Sequence, residues 1–591
     1  MKTGKIFIFS VLVLFFFVGD NSLHSDVEFI KSSPSDTRED FFITNINQTN
    51  LLENRERDWN YHTQSPVLSS LKIADLDGNG IKDIIMTTYG HQPNPYSSGF
   101  VYAIDINGND LPGWPIEVGS PFSATAAIGD IDNNGINDLV VGSWSTLYAW
   151  DSFGNSLPGF PLYYGANKSP VLYNVDDDEE LEIIYPSGSS LYIINHDGSV
   201  LPGWPVTAPE DIGSPTIADI DNDGEYEFIA GTYQGPVVPE SFEIYAWNMD
   251  GSVVEGFPFE TCGVVKAAPA VGDLDNDGQL EIVAVAYSET NEDSLYVLDA
   301  EGNLKPGWPV TVHYGRLSTP ALGDIDGDED LEILIGGYVS YPTYLEKLYA
   351  FHHDGNAVTN WPVVLDHPGS AGNINSSPII ADIDGDTTNV EIVVKVHNYI
   401  FALHSDASVV DGYPYYLDDE GSSGTFSPTP ALGDMDNDGD IELVFSSNSG
   451  NLELLDADNA FFPDFEFWPM FKHDQFNTGC IQPEIFTGIE EEQVINSSGY
   501  YLNNFPNPFN LETTIFFSTT EHTESTEIII YNIKGQKIKT LYPFPNRGLG
   551  TRNVVWNGTD ENNHPVSSGI YFYKLKVNGK YKAVKKCLLL K

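Results

Sequence analysis

Residues Gly272–Tyr287 read GDLDNDGQLEIVAVAY: acidic side chains stand at alternate positions around a glycine, and a β-like apolar run follows at once. A single stretch of this kind fits a metal cage, a catalytic carboxylate cluster or a polar turn between strands. Repetition decides among them. The phrase returns as ADLDGNGIKDII from Ala74, GDIDNNGINDLV from Gly129, YNVDDDEELEII from Tyr173 and ADIDNDGEYEFI from Ala218. It continues as GDIDGDEDLEIL from Gly323, ADIDGDTTNVEIV from Ala381 and GDMDNDGDIELV from Gly433. One active site has no need of eight copies, so the catalytic reading falls away.

A second phrase follows each copy, as in LYAWDSFGNSLPGFP from Leu147 and LYVLDAEGNLKPGWP from Leu295. Together they give a unit of 44 to 58 residues that reads as four short strands separated by Asp/Gly turns. In the sixth unit TPALGDID supplies the first strand, LEILIG the second, and the LY and WP phrases the third and fourth. Helical periodicity is absent between about Pro66 and Phe476. Four-stranded units at this period predict an all-β chain forming an eight-bladed, alternatively seven-bladed, β-propeller over residues 59–478. The aromatic residues of the second phrase (Trp114, Phe160, Trp204, Phe257 and Trp308) are expected to pack between neighbouring blades.

Counting from the first Asp, positions 1, 3 and 5 carry oxygen in every copy, position 6 is usually Gly, and position 9 is Asp or Glu. Alternate oxygens converge when a chain curls around an ion, and the glycine permits the turn. The donors are hard oxygens, with neither His nor Cys in the phrase, a set that suits calcium better than magnesium or a transition metal. The candidate ligands are Asp75, Asp77, Asn79 and Asp83; Asp130, Asp132, Asn134 and Asp138; Asp219, Asp221, Asp223 and Glu227; and Asp273, Asp275, Asp277 and Glu281. Asp324, Asp326, Asp328 and Glu332, Asp382, Asp384, Asp386 and Glu391, and Asp434, Asp436, Asp438 and Glu442 complete the set, for about five to seven calcium ions. The sixth loop has Glu329 at the glycine position and the seventh an extra residue before Glu391. The third starts with Asn174, has Glu179 at the glycine position, and is left outside the ligand set. The competing reading is a hairpin loop whose Asp and Asn side chains cap their own backbone.

The loop and its flanks resemble the FG-GAP or VCBS repeats of integrin-alpha-like propellers. The resemblance implies calcium-stabilised blades and a cell-surface or adhesive role, without naming a ligand. Some calcium-binding propellers are polysaccharide lyases, so an extracellular polysaccharide-degrading enzyme stands as the alternative. No catalytic residues are assigned: HExxH, GxSxG and a glycine-rich phosphate loop are all missing, and the 13 histidines are scattered.

The net charge of -59 argues against nucleic acid as a partner. From Ser497 onward twelve Lys or Arg face six Asp or Glu, so the last hundred residues are a separate module. There LNNFPNPFN, YNIKG, GIY and the Lys585–Lys586 run resemble the type IX secretion sorting domain, an immunoglobulin-like β-sandwich over residues 499–591. The resemblance implies a type IX translocon as partner and a secreted or outer-surface destination. Residues 1–22 read as a secretory signal peptide, residues 23–58 as a leader and 479–498 as a linker. No later segment reaches the apolar length of a membrane helix.

In the expected four-stranded unit, the loops between the second and third strands share one face with the connections between units. Those loops are long in units one, four, five and six. Their tyrosines Tyr89, Tyr96, Tyr233, Tyr338, Tyr341 and Tyr344 are the candidate contacts for an extracellular glycan or protein ligand.

Overall fold

The computed structural model describes Val27–Ile30, Asp40–Ile43, residues 57–481 apart from short connecting segments, and most of residues 502–589. The chain divides into two compact units, Met1–Pro483 and Glu484–Lys591. Among the described residues there is no helix.

The fifth repeat shows how a repeat folds. Its strands are Ala270–Gly272, Glu281–Ala286, Asp293–Leu298 and Val310–Val312, each antiparallel to the next. The second strand, EIVAVA, is buried at all six residues. A strand with one wet face would alternate apolar and polar residues, so a continuous apolar run means that both faces are covered. The covering comes from neighbouring repeats. One core joins Ile85 and Val101 of the first repeat to Leu139 and Trp150 of the second. Another joins Ile73 and Ile84 of the first to Val444 and Leu454 of the eighth. The apolar cores therefore lie between neighbouring sheets, the first and eighth included.

Among the described residues the sheets are small, with three to six strands, and backbone pairing closes none of them into a barrel or propeller. The eight-bladed or seven-bladed β-propeller expected from the repeat is corrected on this point to a succession of separate, open, mainly antiparallel sheets. The physical reason is that the repeated phrases encode a strand, an acidic loop and a second strand. How sheets meet is set by contacts that no single repeat spells out.

Several such contacts join one repeat to another. The amide of Ser70 donates to Thr125 Oγ1 (3.2 Å), that of Thr125 to Ser169 Oγ (3.0 Å) and that of Ser169 to Ser214 Oγ (3.4 Å). The same bond runs from Thr319 to Ser377 (2.9 Å), from Ser377 to Thr429 (3.0 Å) and from Thr429 back to Ser70 (3.3 Å). The fifth repeat has Ala268 at this place and interrupts the series. The indoles act similarly: Trp114 donates to Ser152 O, Trp204 to Met249 O, Trp308 to His353 O and Trp361 to Ser405 O, each a carbonyl in the next repeat. The expected packing of these aromatics between repeats is what the structure has.

The segment Trp468–Ile481 is a strap that touches one repeat after another. Its carbonyls accept from Ile380, Leu432, Ile128, Leu172, Ile217 and Val271, at Trp468, Pro469, Gln475, Phe476, Thr478 and Gly479 in turn. Lys72 of the first repeat donates to the carbonyls of Phe471 and Asp474. Asn477, fully buried, donates to Ala126 O (3.0 Å) and Pro170 O (2.9 Å). The N-terminal side also takes part. Asp40–Ile43 lies parallel to Val363–Leu365, and Arg57–His62 pairs with Asn451–Ala460.

The second unit holds a three-stranded sheet (Leu502–Phe505, Thr513–Phe517, Arg552–Trp556) and a four-stranded one (Lys537–Leu541, Thr526–Asn532, Gly569–Val577, Lys580–Leu589). Ile515 and Trp556 of the first share a core with Ile528, Tyr573 and Leu589 of the second. All three cysteines are free thiols, with Cys480 and Cys587 buried and Cys262 exposed.

Candidate metal centres

Each acidic loop links the first strand of a repeat to the second, and its position-nine carboxylate opens that second strand. These carboxylates (Asp83, Asp138, Glu182, Glu227, Glu281, Glu332, Glu391 and Glu442) are all buried. In every copy one oxygen accepts the amide of the loop's second residue, as in Leu76 to Asp83 (3.0 Å), Val175 to Glu182 (2.9 Å) and Leu274 to Glu281 (2.9 Å). That bond fixes the carboxylate and leaves its second oxygen for the loop. The first Asp is held differently: Asp273 accepts from the amides of Asp277 (3.0 Å) and Gly278 (2.8 Å), and Asp75, Asp130 and Asp219 repeat the arrangement. Self-capping is thus real, and it shapes the loop. It does not use up the acidic oxygens.

Asp75, Asp77 and Asp83 offer oxygens within 4.8 Å of one another, as do Asp130, Asp132 and Asp138. Asp176, Asp178 and Glu182 of the third loop do the same, although its sequence departs most from the pattern. Burial, followed by the carboxylates alongside, pushes Asp83, Asp138 and Glu182 up to about 7 and Glu227, Glu332 and Glu442 up to about 8. Four loop oxygens carry the test of whether a cation fits. Asp132 Oδ1, Glu182 Oε1, Asp275 Oδ1 and Asp434 Oδ1 are buried and accept no hydrogen bond. A buried carboxylate oxygen without a donor is costly unless a cation meets it. The acidic loops fit a divalent ion on this ground.

Three loops contain a base that the loop pattern alone does not announce. In the fifth, Lys305 Nζ lies 2.7 Å from Glu281 Oε1 and 3.2 Å from Asp275 Oδ2. In the sixth, His352 Nδ1 lies 3.0 Å from Glu332 Oε1 and clusters with Asp326 and Asp328. In the seventh, His404 Nδ1 lies 3.2 Å from Glu391 Oε1 and clusters with Asp384; its pKa is raised, first by the bond to Glu391. The signal was available. His352 and His404 occupy the place just after the third strand that Asp105, Asp151, Asn195, Asn248 and Asp299 fill in other repeats.

Of the remaining candidates, Asp386, Tyr96, Tyr341 and Tyr344 and the signal peptide lie outside the described residues, as does the side chain of Tyr338. Tyr89 is half-buried with its ring edge-on to Trp144 at 6.4 Å. Tyr233 closes the second strand of the fourth repeat, opposite Asp211.

Residues 273–335, starting at Asp273, match the model of the FG-GAP-like repeat, and residues 503–590 match that of the secretion system C-terminal sorting domain. The chain carries an FG-GAP repeat and a sorting domain. With that sorting domain it is a secreted or cell-surface protein, delivered through a secretion translocon. Among solved structures the chain is similar to the V. cholerae biofilm matrix protein Bap1, at 13% identity and a TM-score of 0.37, covering 71% of this chain and 94% of that one. It is also similar to the Pseudomonas aeruginosa PilY1 C-terminal domain, at 12% identity and a TM-score of 0.34, covering 64% and 93%. No curated protein matches the chain. Among the described residues no helix is long and apolar enough to cross a membrane.

Proposed function

We propose that the protein is a non-enzymatic adhesion or capture module for an extracellular glycan or protein, exported by type IX secretion, whose acidic loops hold calcium as structural ions, with Lys305 standing in for the ion in the fifth. The observation that supports this most directly is the set of orphaned buried oxygens at Asp132, Glu182 and Asp434, one in each of three loops whose neighbouring donors are all oxygens. Hard oxygens in a flexible loop match calcium better than magnesium or a transition metal. When bound, the ion supplies positive charge where carboxylates crowd, and the residues that would hold it are the position-one, position-three and position-nine acids. The chain's own part is to hold those acids in place through the amide bonds described above.

The test combines a melting curve with and without chelator and a calcium titration by calorimetry. A lowered melting temperature on chelation and binding of several equivalents are expected; no shift overturns the calcium reading. A glycan array run beside an assay of polysaccharide degradation separates capture from catalysis, and chain cleavage overturns the non-enzymatic reading.

A further inference from the structure

A cavity of about 620 Å³ opens where the connections leading into several repeats meet the loops after their second strands. It is lined by members of the hydroxyl series, among them Ser70, Thr125, Ser169 and Ser214, and by Phe471 of the strap. Its size suits a ligand of one or two sugar rings. Its charge is unlike that of the acidic repeats around it. The charged residues on its wall are Lys168, Lys266 and Asp211, so the cavity carries a net positive charge within a protein of net charge -59.

Lys168 is only 8% exposed, and its Nζ sits 4.1 Å above the centre of the Tyr233 ring. Among the described residues no carboxylate lies within ion-pairing distance of that ammonium. Burial first, then Lys266 nearby, lowers its pKa to about 7, against the weaker pull of Asp211. An ammonium buried this deeply normally has an anion against it. Two flat aromatic groups stand at the same place. Tyr233 lines the wall, and Trp144, 54% exposed in the short loop after the second strand of its repeat, lines the cavity as well. Amphipathic rings of this kind cover the apolar face of a sugar while their edges stay wet.

We infer that this cavity binds a carboxylated sugar, the uronic acid end of an acidic polysaccharide, with Lys168 and Lys266 meeting the carboxylate, Trp144 and Tyr233 the ring face, and the hydroxyl series the sugar hydroxyls. The inference deepens the proposed capture role and rests on it, but not on the calcium reading. The carboxylate brings Lys168 a counter-charge closer than Asp211, which acts on it only weakly. A charge-assisted bond of this kind discriminates an acidic from a neutral sugar more strongly than hydroxyl contacts do.

The test is calorimetry on the full chain with calcium in excess, using trigalacturonate, the matched neutral galactose trimer and inorganic phosphate as separate probes. Trigalacturonate is expected to bind, with the neutral trimer and phosphate each weaker by about tenfold or more. Lys266→Ala, on an exposed side chain, is expected to weaken trigalacturonate binding about tenfold at an unchanged melting temperature, and Trp144→Ala to weaken it too. Lys168→Met serves as the stronger variant, its fold checked by the same melting curve. Equal affinity for the neutral trimer, equal affinity for phosphate, or trigalacturonate binding that all three substitutions leave intact would each overturn the inference. If trigalacturonate fails while a glycan array finds another ligand, the cavity assignment falls and the capture role stands.

Discussion

Lys305 places its ammonium 2.7 Å from Glu281 Oε1 and 3.2 Å from Asp275 Oδ2, inside a loop that keeps the whole repeated pattern. Glu281 is buried, and Lys305 is about four-fifths buried. The chain thus supplies the fifth loop with its own cation. Replacing Lys305 with Met is expected to cost about 2 kcal/mol in calcium-free buffer, because a buried carboxylate loses its counter-charge and the lysine's partial exposure moderates the loss. Calcium is expected to restore most of it and to bind with one more equivalent than in the unaltered chain. Urea denaturation with and without calcium checks the first part and calorimetry the second.

Glu182 tests the third loop. Its Oε2 is held by the Val175 amide while Oε1 accepts nothing. Glu182→Gln keeps the shape and removes the charge. It is expected to lower the calcium stoichiometry by one and to reduce the shift in melting temperature that calcium produces. Ligand linkage makes each saturated ion worth about 2.7 kcal/mol at a concentration a hundredfold above its dissociation constant. An unchanged stoichiometry would show that the third loop holds no ion.

The all-β class, the four-strand repeat and the acidic loop were legible because each is written in local periodicity. Asp273 to Glu281 announces a loop and Glu281 to Ala286 a strand buried on both faces. The eight-bladed closure was a step beyond that, since the pairing of strands stops at each sheet. What joins the sheets was also present in the sequence, in the Ser or Thr before the first strand and the Trp before Pro, but a hydroxyl shows its partner only in three dimensions. Lys305 was illegible for the same reason: it lies 24 residues from Glu281 and belongs to the second phrase, not the acidic one. Trp144 is not marked out in the sequence because it stands in a short loop, whereas loop length points to the candidate tyrosines.

The hydroxyl series predicts an effect of opposite sign at two places. Ser377→Ala removes the acceptor for the buried Thr319 amide and is expected to destabilise by about 1–2 kcal/mol. Ala268→Ser restores a hydroxyl where the fifth repeat lacks one. Its expected effect is a gain of up to about 1 kcal/mol, if its Oγ meets the Ser214 amide as Ser214 Oγ meets that of Ser169. Equilibrium denaturation of both variants with saturating calcium separates this from the metal loops.

The strap carries the last prediction. Asn477 is fully buried, and its amide nitrogen is the donor for two carbonyls in different repeats, Ala126 O and Pro170 O. Truncation to Ala leaves both acceptors in a dry interior without a donor, which costs more than the loss of a solvated bond. The expected destabilisation is about 3 kcal/mol. Asn477→Asp is expected to do no better, since a carboxylate offers those carbonyls no donor and adds a buried charge. Calcium saturation is expected to leave the deficit of both variants in place, because Asn477 touches no acidic loop. A denaturation midpoint equal to that of the unaltered chain would mean that the strap rests on the repeats without holding them together.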